Sequence, residues 1–198
     1  MDNPTRGHKR LCNRRVIVAA VSFEHLKRVM KYDAETGVFT YNENRGPWRK
    51  AGETAGRLCP KSLHNGGGYR LIAIREGAQC SEYGAHRLAW FYVYGSWPNG
   101  ALDHINGNRD DNRIANLREA TTSQNGANRG AQSNNTSGLK GVSFHKASGK
   151  WRGDICAEGK TLFLGLHKTR EAAAAAYDLA AYMFFGEFSQ AADGSLTS

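Results

Sequence analysis

The chain has 198 residues, 40% hydrophobic side chains, a formal net charge of +9 and a pI near 9.6. That length accommodates one domain or two small ones, and that charge points to a polyanionic partner, nucleic acid before an anionic membrane. The longest apolar run near the N-terminus, residues 16–21, is far short of the roughly 20 residues a membrane span needs and is too embedded among arginines for a signal peptide.

Cys12, Cys59, Cys80 and Cys156 show no C-x-x-C spacing. This argues against a zinc ribbon or finger and against a disulfide scaffold, and fits free thiols in a reducing cytoplasm.

Residues 1–15 carry five basic side chains against Asp2, and residues 1–22 read as a basic N-terminal arm, either DNA-contacting or merely solvated. Residues 23–32 read as a short helix with Leu26, Val29 and Met30 at helical spacing. A turn at Asp33–Gly37 and a strand over residues 38–41 follow. Residues 47–68 read as loop with short strands, residues 69–74 as a strand, and residues 85–94 as a buried helix closed by Gly95. Residues 129–137 have almost no apolar side chain and read as a linker. Beyond them, residues 141–144, 151–157 and 161–166 read as three short strands joined by tight turns at Ser148-Gly149 and Glu158-Gly159. A helix over residues 170–185 follows, capped by Thr169, with Ala173, Ala176, Tyr177, Ala180 and Phe184 on one face.

The chemistry concentrates in residues 103–125. Asp103-His104 leaves a strand into a turn-rich loop in which Gly107 takes a backbone angle other residues avoid. Asn116, Leu117 and Arg118 lie on the returning strand, and Thr121 or Thr122 caps a short helix carrying Asn125. Asp103 and Asn125 then offer oxygens to Mg²⁺, which prefers such ligands and keeps several waters. His104, on the other strand face, is placed to take a proton from water, with an ordinary pKa near neutrality. Asn106, Asn108 and Asn112 read as turn residues bonding their own backbone. Arg109 and Arg113 are candidate phosphate contacts. His86, inside the apolar helix, reads as a hydrogen-bonded core residue, a DNA contact or an assistant to the site.

The stretch Leu102-Asp-His-Ile-Asn-Gly-Asn, with Asn112, Asn116-Leu-Arg, Thr121 and Asn125 at their spacings, resembles the HNH homing endonucleases, a branch of the His-Me finger (ββα-metal) nucleases. Residues 32–41 and Ala85-His-Arg-Leu-Ala-Trp90 resemble the approach to this motif in phage-borne members, and the resemblance covers about residues 24–130. It implies Asp103 and Asn125 as ligands of Mg²⁺ or another divalent cation such as Mn²⁺, His104 as general base and Asn116 as the brace of the hairpin. Many relatives carry histidine where Asn125 stands, and Asn128 is a nearby alternative.

Residues 140–170 hold seven basic and two acidic residues, whereas from Glu171 onward only acidic charges remain. A basic sheet backed by an acidic helix can lay one face on DNA. Gly138-Leu-Lys-Gly-Val-Ser-Phe-His, Gly149-Lys-Trp, Asp154-Ile, Leu164-Gly and Thr169-Arg-Glu followed by five alanines and Tyr-Asp-Leu-Ala-Ala resemble the plant ethylene-response-factor (APETALA-type) DNA-binding domain. That resemblance spans about residues 137–192 and implies DNA contacts from Lys140, Ser143, His145, Lys146, Arg152, Asp154, Thr161 and Phe163. Ser143, Cys156, Thr161 and Phe163 depart from the arginines and tryptophans of the plant proteins, which implies a different or looser target.

The expected architecture is therefore α+β: an arm (1–22), a His-Me finger nuclease domain (23–128), a linker (129–137), a three-stranded antiparallel sheet on one helix (138–192) and a tail (193–198). The expected activity is metal-dependent cleavage of double-stranded DNA, by a homing-type enzyme carried by a phage or prophage in the host cytoplasm, with no membrane partner. The rival is a non-catalytic DNA-binding regulator derived from such a nuclease. An RNA-binding module would need a clustered aromatic platform that the sequence lacks. Removing residues 137–198 is expected to weaken site-specific binding more than cleavage of DNA at high concentration.

Overall fold

A computed structural model describes residues 20–47, 49–60, 68–132 and 134–194. The basic arm up to residue 19 and residues 195–198 of the tail lie outside the described residues.

Ser22 caps α1 (Phe23–Val29), its hydroxyl accepting from the His25 amide. The helix stops one residue before Met30, and Met30–Tyr32 is strand β1, paired antiparallel with β2 (Phe39–Tyr41). The single helix expected over residues 23–32 is thus a helix and a strand. Met30 and Tyr32 satisfy strand alternation as well as Leu26, Val29 and Met30 satisfy helical spacing, and pairing with β2 decides between them. The turn between β1 and β2 is held by Asp33, whose Oδ1 accepts from the Glu35 and Thr36 amides at 2.9 and 3.3 Å. Gly37 closes it at φ +72°; a Cβ there would strike the backbone of Asn112 and Arg113, so this turn supports the loop of the later site.

A second sheet runs β3 (Arg57–Leu58), β4 (Arg70–Glu76), β5 (Gln79–Gly84), all antiparallel. Strand β5 carries Gln, Cys, Ser and Glu and no apolar alternation, so only its pairing with β4 reveals it. Helix α2 (Ala85–Tyr94) follows and ends at Gly95 in the left-handed conformation. Leu26, Val29, Met30, Phe39, Ile72 and Leu88 are sealed together in the N-terminal core. Truncating one of these to alanine costs about 2–5 kcal/mol.

Three strands, β8 (Val142–His145), β9 (Lys150–Ala157) and β10 (Lys160–His167), form an antiparallel sheet with β9 central. Helix α4 (Arg170–Phe185), capped by Thr169, packs on one face of it. Ala173, Ala174, Tyr177, Ala180 and Ala181 are the buried helix positions and Phe185 packs beside them. The expected face is thereby rotated: Ala176 is half-buried and Phe184 is 50% exposed. Small side chains let helix and sheet approach closely. Gly141 (φ +71°) sits directly under the Tyr177 ring, where any Cβ would collide. This second core is separate from the first. No helix among the described residues is long and apolar enough to cross a membrane.

Candidate active site

Strands β6 (Ala101–His104) and β7 (Leu117–Ala120) form an antiparallel hairpin with Asp103 opposite Arg118 and His104 opposite Leu117. A 3-10 turn (Ile114–Asn116) precedes β7. Helix α3 (Thr122–Ala127) follows at once, fixed by a reciprocal cap: the Thr121 hydroxyl accepts from the Gln124 amide and the Gln124 side chain accepts from the Thr121 amide. Thr121, not Thr122, is the cap.

The loop joining the strands is built by its polar residues. The Gly107 amide donates to the His104 carbonyl at 2.8 Å, with Gly107 at φ +69°. Asn106 Oδ1 accepts from the Asn108 amide, and Asn108 Oδ1 from the Asp110 amide. Asn116, 7% exposed, clasps the loop: its Oδ1 accepts from the Asn106 amide, and its Nδ2 donates to Asn106 Oδ1 and the Asp111 carbonyl. Its hydrogen bonds brace the loop and do not reach the His104 ring.

Asp103 and His104 are each 4% exposed. The Asp103 carboxylate accepts from Arg118 Nε at 3.0 Å, forms an ion pair with Arg118 Nη2 at 3.0 Å, and accepts from Asn128 Nδ2 at 3.0 Å to each oxygen. Asn128 Nδ2 also donates to the His104 carbonyl at 2.9 Å. All three acceptors lack protons, which fixes which end of the Asn128 amide faces them. Asn125 lines the same cavity as Asp103 and His104, and its side chain has no hydrogen-bond partner among the described residues. The cavity is about 850 Å³ and also borders Tyr69, Asn128 and Lys140.

Nε2 of His104 faces Asn112 Oδ1 at 3.5 Å, a long contact. The Asn112 amide is oriented by its own donation to the Asp110 carbonyl at 3.0 Å, so oxygen is the end turned to the histidine. Asn112 is 1% exposed, and its carbonyl accepts from the Tyr32 hydroxyl at 2.7 Å. Expected only as a turn residue, Asn112 thus also addresses the histidine; no spacing rule in the sequence marks that role. Burial pushes the His104 pKa down, opposed by the Asn112 contact and the nearby Asp103 and Asp111 carboxylates.

His86 lies beside His104. Its ring centroid is 5.3 Å from His104 and 5.0 Å from Tyr69. It lacks the hydrogen bond expected of a core residue: the side chain is partly buried, and its enclosed Nδ1 has no hydrogen-bond partner among the described residues. Desolvation, chiefly, drives its pKa down to about 3. Gly84 makes room for the ring, since a Cβ there would stand 2.6 Å from His86 Cε1. Arg109 stacks over Tyr69 at 5.0 Å, while Arg113 is engaged with Asp111 at 2.6 Å.

The expected contact residues of the C-terminal sheet separate into two groups. Ser143 and His145 on β8, Arg152 and Asp154 on β9, and Thr161 and Phe163 on β10 alternate with the α4-facing Val142, Gly153 and Ile155. Lys146 is exposed in the turn after β8. Arg152 is paired in bidentate fashion with Asp154 at 2.7 and 2.8 Å and lies 5.2 Å from the Phe163 ring. Lys140 is elsewhere: its ammonium donates to the Ala127 and Arg129 carbonyls at 2.5 and 2.6 Å, at the end of α3. Burial and neighbouring Arg129 lower its pKa to about 8. Since carbonyls only accept, the protonated amine satisfies these contacts.

A divalent cation fits the donor set. Asp103 and Asn125 line one cavity and carry hard oxygens of the kind suited to a cation that retains several waters. Among the described residues no group of three or more His, Cys, Asp or Glu side chains is placed to hold a metal ion.

Residues 83–127 match the family model of HNH endonucleases. The chain is 42% identical over 76 residues to Protein 3.8 of Escherichia phage T7, an alignment covering 38% of this chain and 63% of that protein. Among solved structures, it is similar to one described as DNA binding and cleavage by the HNH homing endonuclease I-HmuI, with 26% identity, a TM-score of 0.37 and 50% of each chain covered. The chain thus spans less than two thirds of the length of either relative.

Proposed function

We propose that this protein is a divalent-metal-dependent DNA endonuclease of the homing type, with a His-Me finger centre formed by β6, β7 and α3. The observation that carries the proposal is the convergence of Asp103, His104 and Asn125 on one cavity within the segment that matches the HNH model. The substrate is double-stranded DNA, and the site of action is the cytoplasm of a bacterial host. A basic chain of net charge +9 is suited to that substrate.

Asp103 and Asn125 would hold the cation, Mg²⁺ or Mn²⁺. When bound, it supplies stabilisation of charge developing on the phosphoryl and leaving oxygens. The remaining work falls to the chain. His104 is neutral near physiological pH because burial lowers its pKa. With Asn112 Oδ1 facing Nε2, the favoured tautomer keeps its proton there and leaves the Nδ1 lone pair to take a proton from water. Asn116 and the Asn106–Asn108 turns keep the histidine strand and its loop in one conformation. Arg118 and Asn128 prevent the buried Asp103 carboxylate from turning away from the cavity wall.

The outer face of the C-terminal sheet, in the manner of an ethylene-response-factor domain, would read DNA through Ser143, His145, Lys146, Arg152, Asp154, Thr161 and Phe163. The Arg152–Asp154 pair must open before Arg152 can address a guanine or a phosphate.

The test is nicking of supercoiled plasmid DNA with Mg²⁺, with EDTA, and by Asp103→Ala in Mg²⁺. The proposal expects nicking only in the first. Nicking that survives both EDTA and the substitution would remove the metal-dependent mechanism.

A further inference from the structure

We infer that the C-terminal module is a working part of the cleavage centre, because Phe188 and the Glu187 carbonyl hold Arg118 in the position from which it orients Asp103. The inference rests on the nuclease reading above.

Arg118 stands on β7 opposite Asp103, its side chain 14% exposed and that of Asp103 5% exposed. Nε and Nη2 both reach Asp103 Oδ2 at 3.0 Å. The third nitrogen, Nη1, donates to the Glu187 carbonyl at 2.9 Å, and the Arg118 Cζ lies 3.8 Å from the Phe188 ring centroid. Glu187 and Phe188 belong to the 3-10 turn after α4, 69 residues along the chain from Arg118. A guanidinium is a rigid planar fork, so a group that fixes one edge and the face fixes the other edge too. Arg118 is therefore aimed at the carboxylate from the C-terminal module.

A second tie reaches the other half of the site. Lys140, from the segment leading into β8, grips the Ala127 and Arg129 carbonyls at the end of α3. That helix carries Asn125 and leads into Asn128, which itself holds Asp103. Both elements that present oxygens to the cavity are thus held from the C-terminal side. A module that only tethered the nuclease to DNA would need neither contact. Phe188 and Lys140 are positioning residues: they touch neither the cavity's Asp103 nor DNA in this role, and act through Arg118 and α3.

The experiment compares the full chain with Phe188→Ala and Phe188→Tyr. Three quantities are read: Mn²⁺ affinity from the free-ion EPR signal, the single-turnover nicking rate at saturating supercoiled plasmid, and plasmid affinity in EDTA. Loss of the ring removes a cation–π contact whose strength corresponds to about tenfold in an equilibrium or a rate. Phe188→Ala is expected to weaken Mn²⁺ binding and slow nicking by about that factor, with plasmid affinity unchanged and Phe188→Tyr restoring both. Should Phe188→Ala fail to fold, Phe188→Leu keeps the apolar cover without the aromatic face and is expected to show the same loss. Unchanged Mn²⁺ affinity and rate in the folded variant, or a loss confined to plasmid affinity, would overturn the inference while leaving the nuclease reading intact. A wild-type chain that neither binds Mn²⁺ nor nicks plasmid brings down the nuclease reading, and this inference with it.

Discussion

Asn128 Nδ2 lies 3.0 Å from each carboxylate oxygen of Asp103, while Asn125, three residues earlier, is left facing the cavity. One asparagine spends its donors on the acid; the other retains its oxygen for a ligand. The two substitutions should therefore separate. Asn125→Ala is expected to lose Mn²⁺ binding in titration with stability within about 0.5 kcal/mol of wild type. Asn128→Ala strips donors from a buried carboxylate and is expected to cost about 1–3 kcal/mol in urea unfolding. Mn²⁺ affinity that is lost with Asn128→Ala at full stability, and retained with Asn125→Ala, would exchange the two roles.

Asn112 addresses Nε2 of His104, so removing its oxygen should release the tautomer and the ring together. Asn112→Ala is expected to lower the single-turnover rate by about tenfold, a fraction of what a positioned base contributes, with DNA affinity retained. A rate equal to wild type would separate Asn112 from the base.

His86 predicts an acid-sensitive fold. Its folded pKa is about 3, below the ordinary histidine value of 6.5. Between those values the unfolded chain binds the proton and the folded chain does not, so stability is present above pH 6.5 and falls as the pH drops toward 3. Carboxylates with lowered pKa values, Asp111 at about 2 among them, add to acid lability mainly at the lower end. Replacing His86 with Phe should flatten the dependence of Tm on pH between about 6.5 and 5, measured by circular dichroism. An unchanged slope there would mean that His86 opens to water on protonation.

The Arg152–Asp154 pair is bidentate but on a solvent-facing strand face, where screening leaves it little weight in stability. Its consequence is for binding. Asp154→Ala frees a guanidinium and is expected to tighten nonspecific duplex binding and steepen the plot of log K against log salt by about 0.9, one additional phosphate contact. Fluorescence anisotropy across a salt series reads both. A slope that does not change would keep Arg152 away from phosphate.

Much of this was legible in the sequence. Capping and punctuation located α2 with its Gly95 stop and α4 with its Thr169 start, because both signals are local. Asp103, His104 and Asn125, singled out from the sequence, line one cavity. Decisions that need a partner were not legible. Met30–Tyr32 becomes a strand only when β2 lies beside it, and the polar Gln79–Gly84 only when β4 does. Lys140 resembled a DNA contact by position in its motif, yet is held by carbonyls at the end of α3. Arg118 stood in the quoted motif, but its hold by Glu187 and Phe188 gave no signal, since those partners are remote in the chain.

In the proposed mechanism His104 is the base, and the direct measurement is single-turnover nicking of saturating supercoiled plasmid in Mg²⁺ by His104→Ala, with plasmid affinity measured alongside. Removing a positioned base is expected to lower the rate by about 10²–10⁴-fold while affinity stays within about twofold, since this buried side chain offers DNA little surface. Nicking at the wild-type rate by the folded variant would contradict the account.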